Sequence, residues 1–296
     1  MNFTPFNTDN IAEVKSLLDK QTFRTCDYTI GGIYMWANYF HYEYLTENDT
    51  LYMRGTDTET GLHAYFLPIG TLPYSKSLPR LQQICIEAGD PHLHLTLIPE
   101  SELGKLNIDT SKAVPRDTWA DYLYESDKLA TLEGHKLNKK RNHVNRFTRD
   151  HSDFSFENID QSNILSIRKF LVDTWEKEVI KTGNYFEAEK EGTLLVLDNY
   201  DKYPFFGGAL KCDNKIIAFT VGEIINDTLY VHIEKALSEY SGSYEMINFL
   251  FAKEMQTNHP ELKWINREDD GGDDGLREAK MSYNPAILLK KYDLKI

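Results

Sequence analysis

Residues 215–236 read KIIAFTVGEIINDTLYVHIEKA. Two β-rich runs, Lys215–Ile225 and Thr228–Ala236, flank the turn pair Asn226-Asp227, and a third, Phe205–Cys212, precedes them across Asp213-Asn214. Turn residues between runs rich in Val, Ile, Phe and Tyr predict consecutive antiparallel strands. A helix is expected over Tyr244–Gln256, where Tyr244, Ile247, Leu250, Phe251 and Met255 share one face. A strand at Leu262–Ile265, a short helix at Leu276–Met281 and a last strand at Ile287–Tyr292 complete the chain. Strands, a helix and then further strands imply an α/β or α+β fold with a mixed, partly antiparallel sheet.

Moving toward the N-terminus, Phe154–Phe156 reads as a short strand and Ile164–Ile180 as a long amphipathic helix, with another helix ending over Gly192–Tyr200. The first half has the same order. Ile11–Leu18 has helical apolar spacing behind the capping residues Thr8, Asp9 and Asn10. Strands are expected at His41–Leu45, Leu51–Met53 and Leu62–Leu67, then a helix at Leu78–Ala88. Leu93, Leu95 and Leu97 alternate with His92, His94 and Thr96, as in a half-buried strand. The recurrence suggests two related domains, 1–118 and 151–296, joined by a connecting segment, 119–150.

The chain has 296 residues, 41% of them apolar and 27% charged, enough for a sizeable core in each half. Its net charge of −13 argues against a protein that coats nucleic acid or anionic lipid over its whole surface. No basic-then-apolar leader opens the sequence, and the run from Ile30 to Phe40 is too short to span a bilayer. A cytoplasmic protein without integral membrane association is expected. Cys26, Cys85 and Cys212 are odd in number and widely spaced, so they read as reduced core thiols.

Charge is unevenly distributed. Residues 128–149 hold seven Lys/Arg against Glu133 alone, a local charge of +6, which leaves −19 on the remainder. From Leu137 onward this stretch can form a helix with Lys139, Asn142, His143, Arg146 and Arg149 on one face, anchored by Leu137, Val144 and Phe147. Such a face suits a polyanion such as tRNA, a CoA pyrophosphate or a phospholipid head group. It equally suits a solvated linker helix paired with the protein's own acids. The acidic, glycine-rich loop 268–275 fails as a calcium-binding EF-hand, because with Gly275 at the sixth loop position the third and twelfth positions are Gly272 and Met281. It is an ordinary exposed turn or a ligand loop at a strand end. Strand alternation places His232 and Glu234 on one face, as candidate bases if that face meets a cleft. The pair His92 and His94 lacks a third metal ligand and reads as surface. No GxGxxG, P-loop, GxSxG or HExxH motif is present.

Several stretches are familiar together: Tyr122-Leu123-Tyr124, Leu129 to Gly134, Lys139 to Phe147, His232 to Ala236, Ile265 to Asp269 and Gly275 to Pro285. In these the chain resembles a bacterial family of uncharacterised proteins related to the C-terminal domain of phosphatidylglycerol lysyltransferase. The specific matches fall within residues 120–292. The resemblance implies a tandem of GNAT-like acyl-CoA N-acyltransferase folds, as in Fem-type aminoacyl-tRNA-dependent peptidyltransferases. A GNAT domain receives the acetyl-CoA pyrophosphate at a helix N-terminus through Arg/Gln-x-x-Gly-x-Gly/Ala. Here the corresponding stretch, Glu239 to Tyr244, opens with an acid and ends with a bulky ring, which shifts weight from acyl-CoA to aminoacyl-tRNA.

The reading that follows is a transferase moving an aminoacyl or acyl group from an activated carrier to an amine or hydroxyl. The acceptor would be a small molecule, a peptide or a lipid head group. Glu234 is the first choice of base, with Glu268 or Asp269 next. Arg267 and Lys280 would stabilise the oxyanion or carrier phosphate, and Tyr283 would protonate the leaving group. Lys139, Lys140, Arg141, Asn145 and Arg146 would hold the carrier's phosphates, with His232 also at the substrate. No metal is required. One site demands that Glu234 and the 267–269 loop lie within about 15 Å. Two other readings stay open: a non-catalytic module binding RNA or another polyanion, and an acetyl-CoA-dependent N-acetyltransferase.

Overall fold

Paired positive-φ residues in two hairpin turns reveal how the sequence builds its sheets. Asn48 and Asp49 have φ of 51° and 55°, and Asp213 and Asn214 have 49° and 59°. Asn and Asp tolerate this region, and a two-residue turn of that hand matches strand twist. The hairpins they close are Glu43–Glu47 with Thr50–Thr56, and Phe205–Cys212 with Lys215–Ile225. The structure is a computed structural model that describes residues 2–58, 60–175 and 184–296.

Packing divides the chain into two compact units, Met1–Asp121 with Leu289–Ile296, and Tyr122–Leu288. The expected boundaries run differently. The single strand expected at Ile287–Tyr292 is two strands, Ile287–Leu289 and Lys291–Lys295, which belong to different sheets. The basic segment packs inside the second unit instead of standing apart as a connector.

In the first unit the sheet order is Thr4–Pro5, Glu43–Glu47, Thr50–Thr56, His63–Tyr65, His94–Pro99, Lys291–Lys295, Val114–Pro115, with Ile69–Gly70 paired to Thr50–Thr56. In the second it is Ser155–Asn158, Phe205–Cys212, Lys215–Ile225, Thr228–Ala236, Trp264–Asn266, Asp121–Glu125, Ile287–Leu289. Each sheet joins its fourth and fifth strands in parallel. A parallel pair needs a crossover, supplied by helices Tyr74–Ala88 and Ser243–Asn258. The two units thus repeat one mixed α/β plan.

In the second unit the helix Ser243–Asn258 lays Met246, Ile247, Phe251, Ala252 and Met255 into a core with Ile217, Ala218, Leu229 and Val231. The basic helix Asn138–Asp150 joins that core through Val144 and Phe147, and Leu137 just before it is also buried. Fully burying an apolar side chain is worth about 1.5–3 kcal/mol, so this narrow stripe suffices to hold a helix otherwise covered in charge. Gly242, at the N-cap of Ser243–Asn258, has φ 91°, and a Cβ there would sit 3.1 Å from the carbonyl oxygen of His143. Glycine therefore both turns the chain into one helix and lets the other approach. The expected helix over 164–180 is seen as Ile164–Trp175, and its remainder lies outside the described residues. Strand His94–Pro99 is buried on both faces apart from Thr96, so His94 is interior and not surface. All three cysteines are buried.

Candidate active site

The ladder between Lys215–Ile225 and Thr228–Ala236 slips once. Val221 pairs with Ile233 and Gly222 with Val231, so His232 is passed over. A bulge of this kind breaks alternation and re-aims the side chains beside it. The expectation that His232 and Glu234 share one strand face fails for this reason, and the two serve different ion-pair systems.

His232 Nε2 lies 2.9 Å from Glu223 Oε1 and Nδ1 lies 2.6 Å from Glu268 Oε1. The side chains of His232 and Glu223 are each 1% exposed, whereas that of Glu268 is 23% exposed. Burial pulls the imidazole pKa down, but hydrogen bonds and charge from Glu223 and Glu268 outweigh it and raise the value to about 9. At neutral pH His232 is thus an imidazolium donating from both nitrogens, with Glu268 the carboxylate that solvent reaches. Glu268 takes φ 57°, and its N–H donates to Asn266 Oδ1 at 2.6 Å, which holds the corner rigid.

Glu234 turns to the helix Ser243–Asn258. Its Oε2 accepts from Asn248 Nδ2 at 3.1 Å, and its Oε1 from Arg267 Nη2 at 2.8 Å. The distance requirement for a single site is therefore met. Burial works against the Arg267 charge, but Glu234 beside it raises its pKa above the usual guanidinium value. Because Arg267 and Glu268 are consecutive, one short loop couples both ion-pair systems. Arg267 Nη1 and Asn248 Oδ1 are buried and make no hydrogen bond among the described residues.

Tyr283 is clasped between cations. Arg267 Cζ lies 4.7 Å and Lys140 Nζ 4.3 Å from its ring centroid. Burial pushes its phenol well above the ordinary value, so it keeps its proton at neutral pH. Lys280 is buried and donates through Nζ to the carbonyl of Asp269, while its own carbonyl accepts from Tyr124 Oη at 2.8 Å. Asp269 Oδ1 accepts from Gly271 N at 2.8 Å. The acidic loop is neutralised locally, with Asp270 gripped by Arg277 at 2.9 Å and by Tyr122 at 2.5 Å. Burial opposes the Asp270 charge, but Arg277 and Tyr122 prevail and lower its pKa.

The five basic-strip candidates divide. Lys139, Asn145 and Arg146 are exposed. Lys140 turns inward to Glu245 at 3.1 Å, and Arg141 donates to the Leu132 carbonyl and to Asn138 Oδ1. Sequence reasoning did not single out Glu223, Asn248, Tyr122, Asp270 or Glu245 as site residues. Glu223 carried a usable signal, a lone acid in an otherwise apolar strand. Asn248 had none, since its contact with Glu234 is set by how the helix packs on the strand before it.

With this geometry in view, the family can be stated. Residues 20–295 match the model of the family described as phosphatidylglycerol lysyltransferase, C-terminal, and the chain belongs to that family. An uncharacterised protein of Mycoplasmoides gallisepticum is 29% identical over 182 residues, which is 60% of this chain and 56% of that one. The chain thus spans little more than half the length of this curated relative. A conserved protein of unknown function from Bacteroides thetaiotaomicron is 26% identical with a TM-score of 0.91, covering 100% of this chain and 99% of that one. L-PGS from Bacillus licheniformis shares the fold at 12% identity and a TM-score of 0.66, covering 99% of this chain and 92% of that one. FemX does so at 7% identity and 0.61, covering 99% and 97%. The mixed α/β fold of this chain is thus one that L-PGS and FemX share.

Proposed function

We propose that the second unit transfers an aminoacyl group from aminoacyl-tRNA to an amine or hydroxyl acceptor. The observation that carries this reading is the Tyr283 clasp, which sets the basic helix beside the ion-paired loop. In this reading the exposed Lys139, Asn145 and Arg146 engage tRNA phosphates, and Lys140 and Arg141 shape the helix behind them. The acceptor attacks the ester carbonyl of the carrier as Glu268 takes its proton. A carbon–nitrogen or carbon–oxygen bond forms, the carrier's carbon–oxygen bond breaks, and the departing hydroxyl recovers the proton. His232 can relay that proton between Glu268 and Glu223. Glu234 orients Arg267 toward the developing oxyanion, while Asp269, Lys280 and Tyr283 hold the loop and the carrier end. A tRNA donor puts the reaction on the cytoplasmic side. No helix among the described residues is long and apolar enough to cross a membrane.

Acetyl-CoA is the weaker donor on physical grounds. The first turn of Ser243–Asn258, where a pyrophosphate would sit, carries Glu245, and Lys140 is already engaged by it. The test pairs turnover with tRNA retention for Glu268→Gln, across small-molecule, peptide and lipid head-group acceptors. General-base loss predicts a fall of about a hundredfold or more with retention unchanged. Unaltered turnover would remove Glu268 from the chemistry. Wild-type tRNA retention without turnover on any acceptor would favour a binding module.

A further inference from the structure

The first unit has a cleft, part of it open to solvent, whose position repeats the corner just described. The correspondence follows from strand register. Tyr65 pairs in parallel with Leu95, as Tyr230 pairs with Asn266. Leu294 lies across from Leu95 on the next strand, as Leu123 lies across from Asn266. Two residues beyond each parallel pair the chain turns left-handed, at Leu97 with φ 51° and at Glu268 with φ 57°. Asp293 meets the first corner by accepting from Leu97 N at 3.1 Å, and Tyr122 meets the second by donating its N–H to the Glu268 carbonyl at 3.1 Å. A left-handed leucine is costly and persists only where surrounding structure demands it.

What differs is the chemistry. Counting from the matched pairs, Leu97 stands where Glu268 stands and Leu67 where His232 stands, so the proton-handling pair is absent from this corner. In its place is an aromatic wall. Tyr42 stacks on Phe40 at 5.3 Å and meets Phe66 edge-on at 5.3 Å. Gly55 makes the wall feasible, because a Cβ there would come within 2.5 Å of the Tyr42 ring. The charged groups on the lining are Asp57, Asp293 and Arg116, with the buried His94 lying 3.9 Å from Asp57 and 3.4 Å from Asp293. Apart from His94, the lining sets two carboxylates, Asp57 and Asp293, against one guanidinium, Arg116. Arg116 Nη1 faces Asp293 at 3.5 Å, and its buried Nε makes no hydrogen bond among the described residues.

We propose that this cleft binds a small organic ammonium bearing an oxygen acceptor, of the amino-alcohol type, without transforming it. Ring faces and excess carboxylate recognise the cation, and the part-exposed Arg116 guanidinium donates to the oxygen. The site stands independently of the transfer reaction assigned to the second unit. Calorimetry on the full chain tests it with choline, ethanolamine and the neutral tert-butyl isostere of choline. The expected result is a Kd of about 1 mM or tighter for an ammonium. The isostere should bind at least about tenfold more weakly. Asp57→Asn, with an unchanged melting temperature, should weaken the ammonium by a similar factor, and Glu268→Gln should leave it unaltered. Equal affinity for choline and its isostere, no saturation by either amine below about 50 mM, or indifference to Asp57→Asn would each overturn the proposal.

Discussion

His232 shows how a single residue's charge depends on its surroundings. In the unfolded chain its imidazole titrates near 6.5, while between Glu223 and Glu268 it titrates near 9. The folded state therefore binds more protons than the unfolded state throughout that interval. Stability from this group is fully present below about pH 6.5 and is lost as pH rises through about 9. Urea titrations across this range should show wild type losing stability toward alkaline pH relative to His232→Gln. Parallel curves for the two proteins would mean that the imidazolium is not formed. The same environment sets Glu234 and Glu268 apart, although both are acids near one loop. Both oxygens of Glu234 are engaged by Asn248 and Arg267, whereas Glu268 keeps access to solvent.

At the scale of elements, the basic helix depends on two apolar anchors. Phe147 is fully buried, and its ring packs 5.9 Å from that of Phe154. Phe147→Ala should cost about 3–5 kcal/mol, read as a lower denaturant midpoint with little change in slope. A loss below about 1 kcal/mol would mean the helix is held by its ion pairs instead. The bulge at His232 is the other decisive element. Periodicity correctly located Lys215–Ile225 and Thr228–Ala236, residue for residue, because turn chemistry and β-branched runs are local signals. It could not locate the slip, because a bulge is set by what neighbouring strands and loops demand.

For the whole molecule, the average charge of −13 conceals a basic segment on an acidic body. Only part of that segment is available to a partner, since Lys140 and Arg141 are satisfied internally. Charge reversal at Lys139 and Arg146 should weaken tRNA retention and flatten its salt dependence, by about one unit of log–log slope for each phosphate no longer engaged. An unchanged slope would remove this helix from the carrier site. The acidic loop does not neutralise the strip, because Asp270 is gripped by Arg277 and Tyr122, and Arg277 also holds Asp274.

By itself the sequence determined the run of three strands and a helix from Phe205 to Asn258 and the segregation of positive charge, and it suggested a repeated plan. Each is written in neighbouring residues through spacing, turn chemistry and local composition. Tertiary structure alone decided that Lys291–Lys295 returns to the first sheet, that Glu223 completes the His232 pair and that Glu234 is bound to Arg267. The first and last of these rest on residues brought together from distant parts of the chain, and the second on the bulge at His232, which no local pattern marks. Their charges and burial acquire meaning only once folding removes them from water.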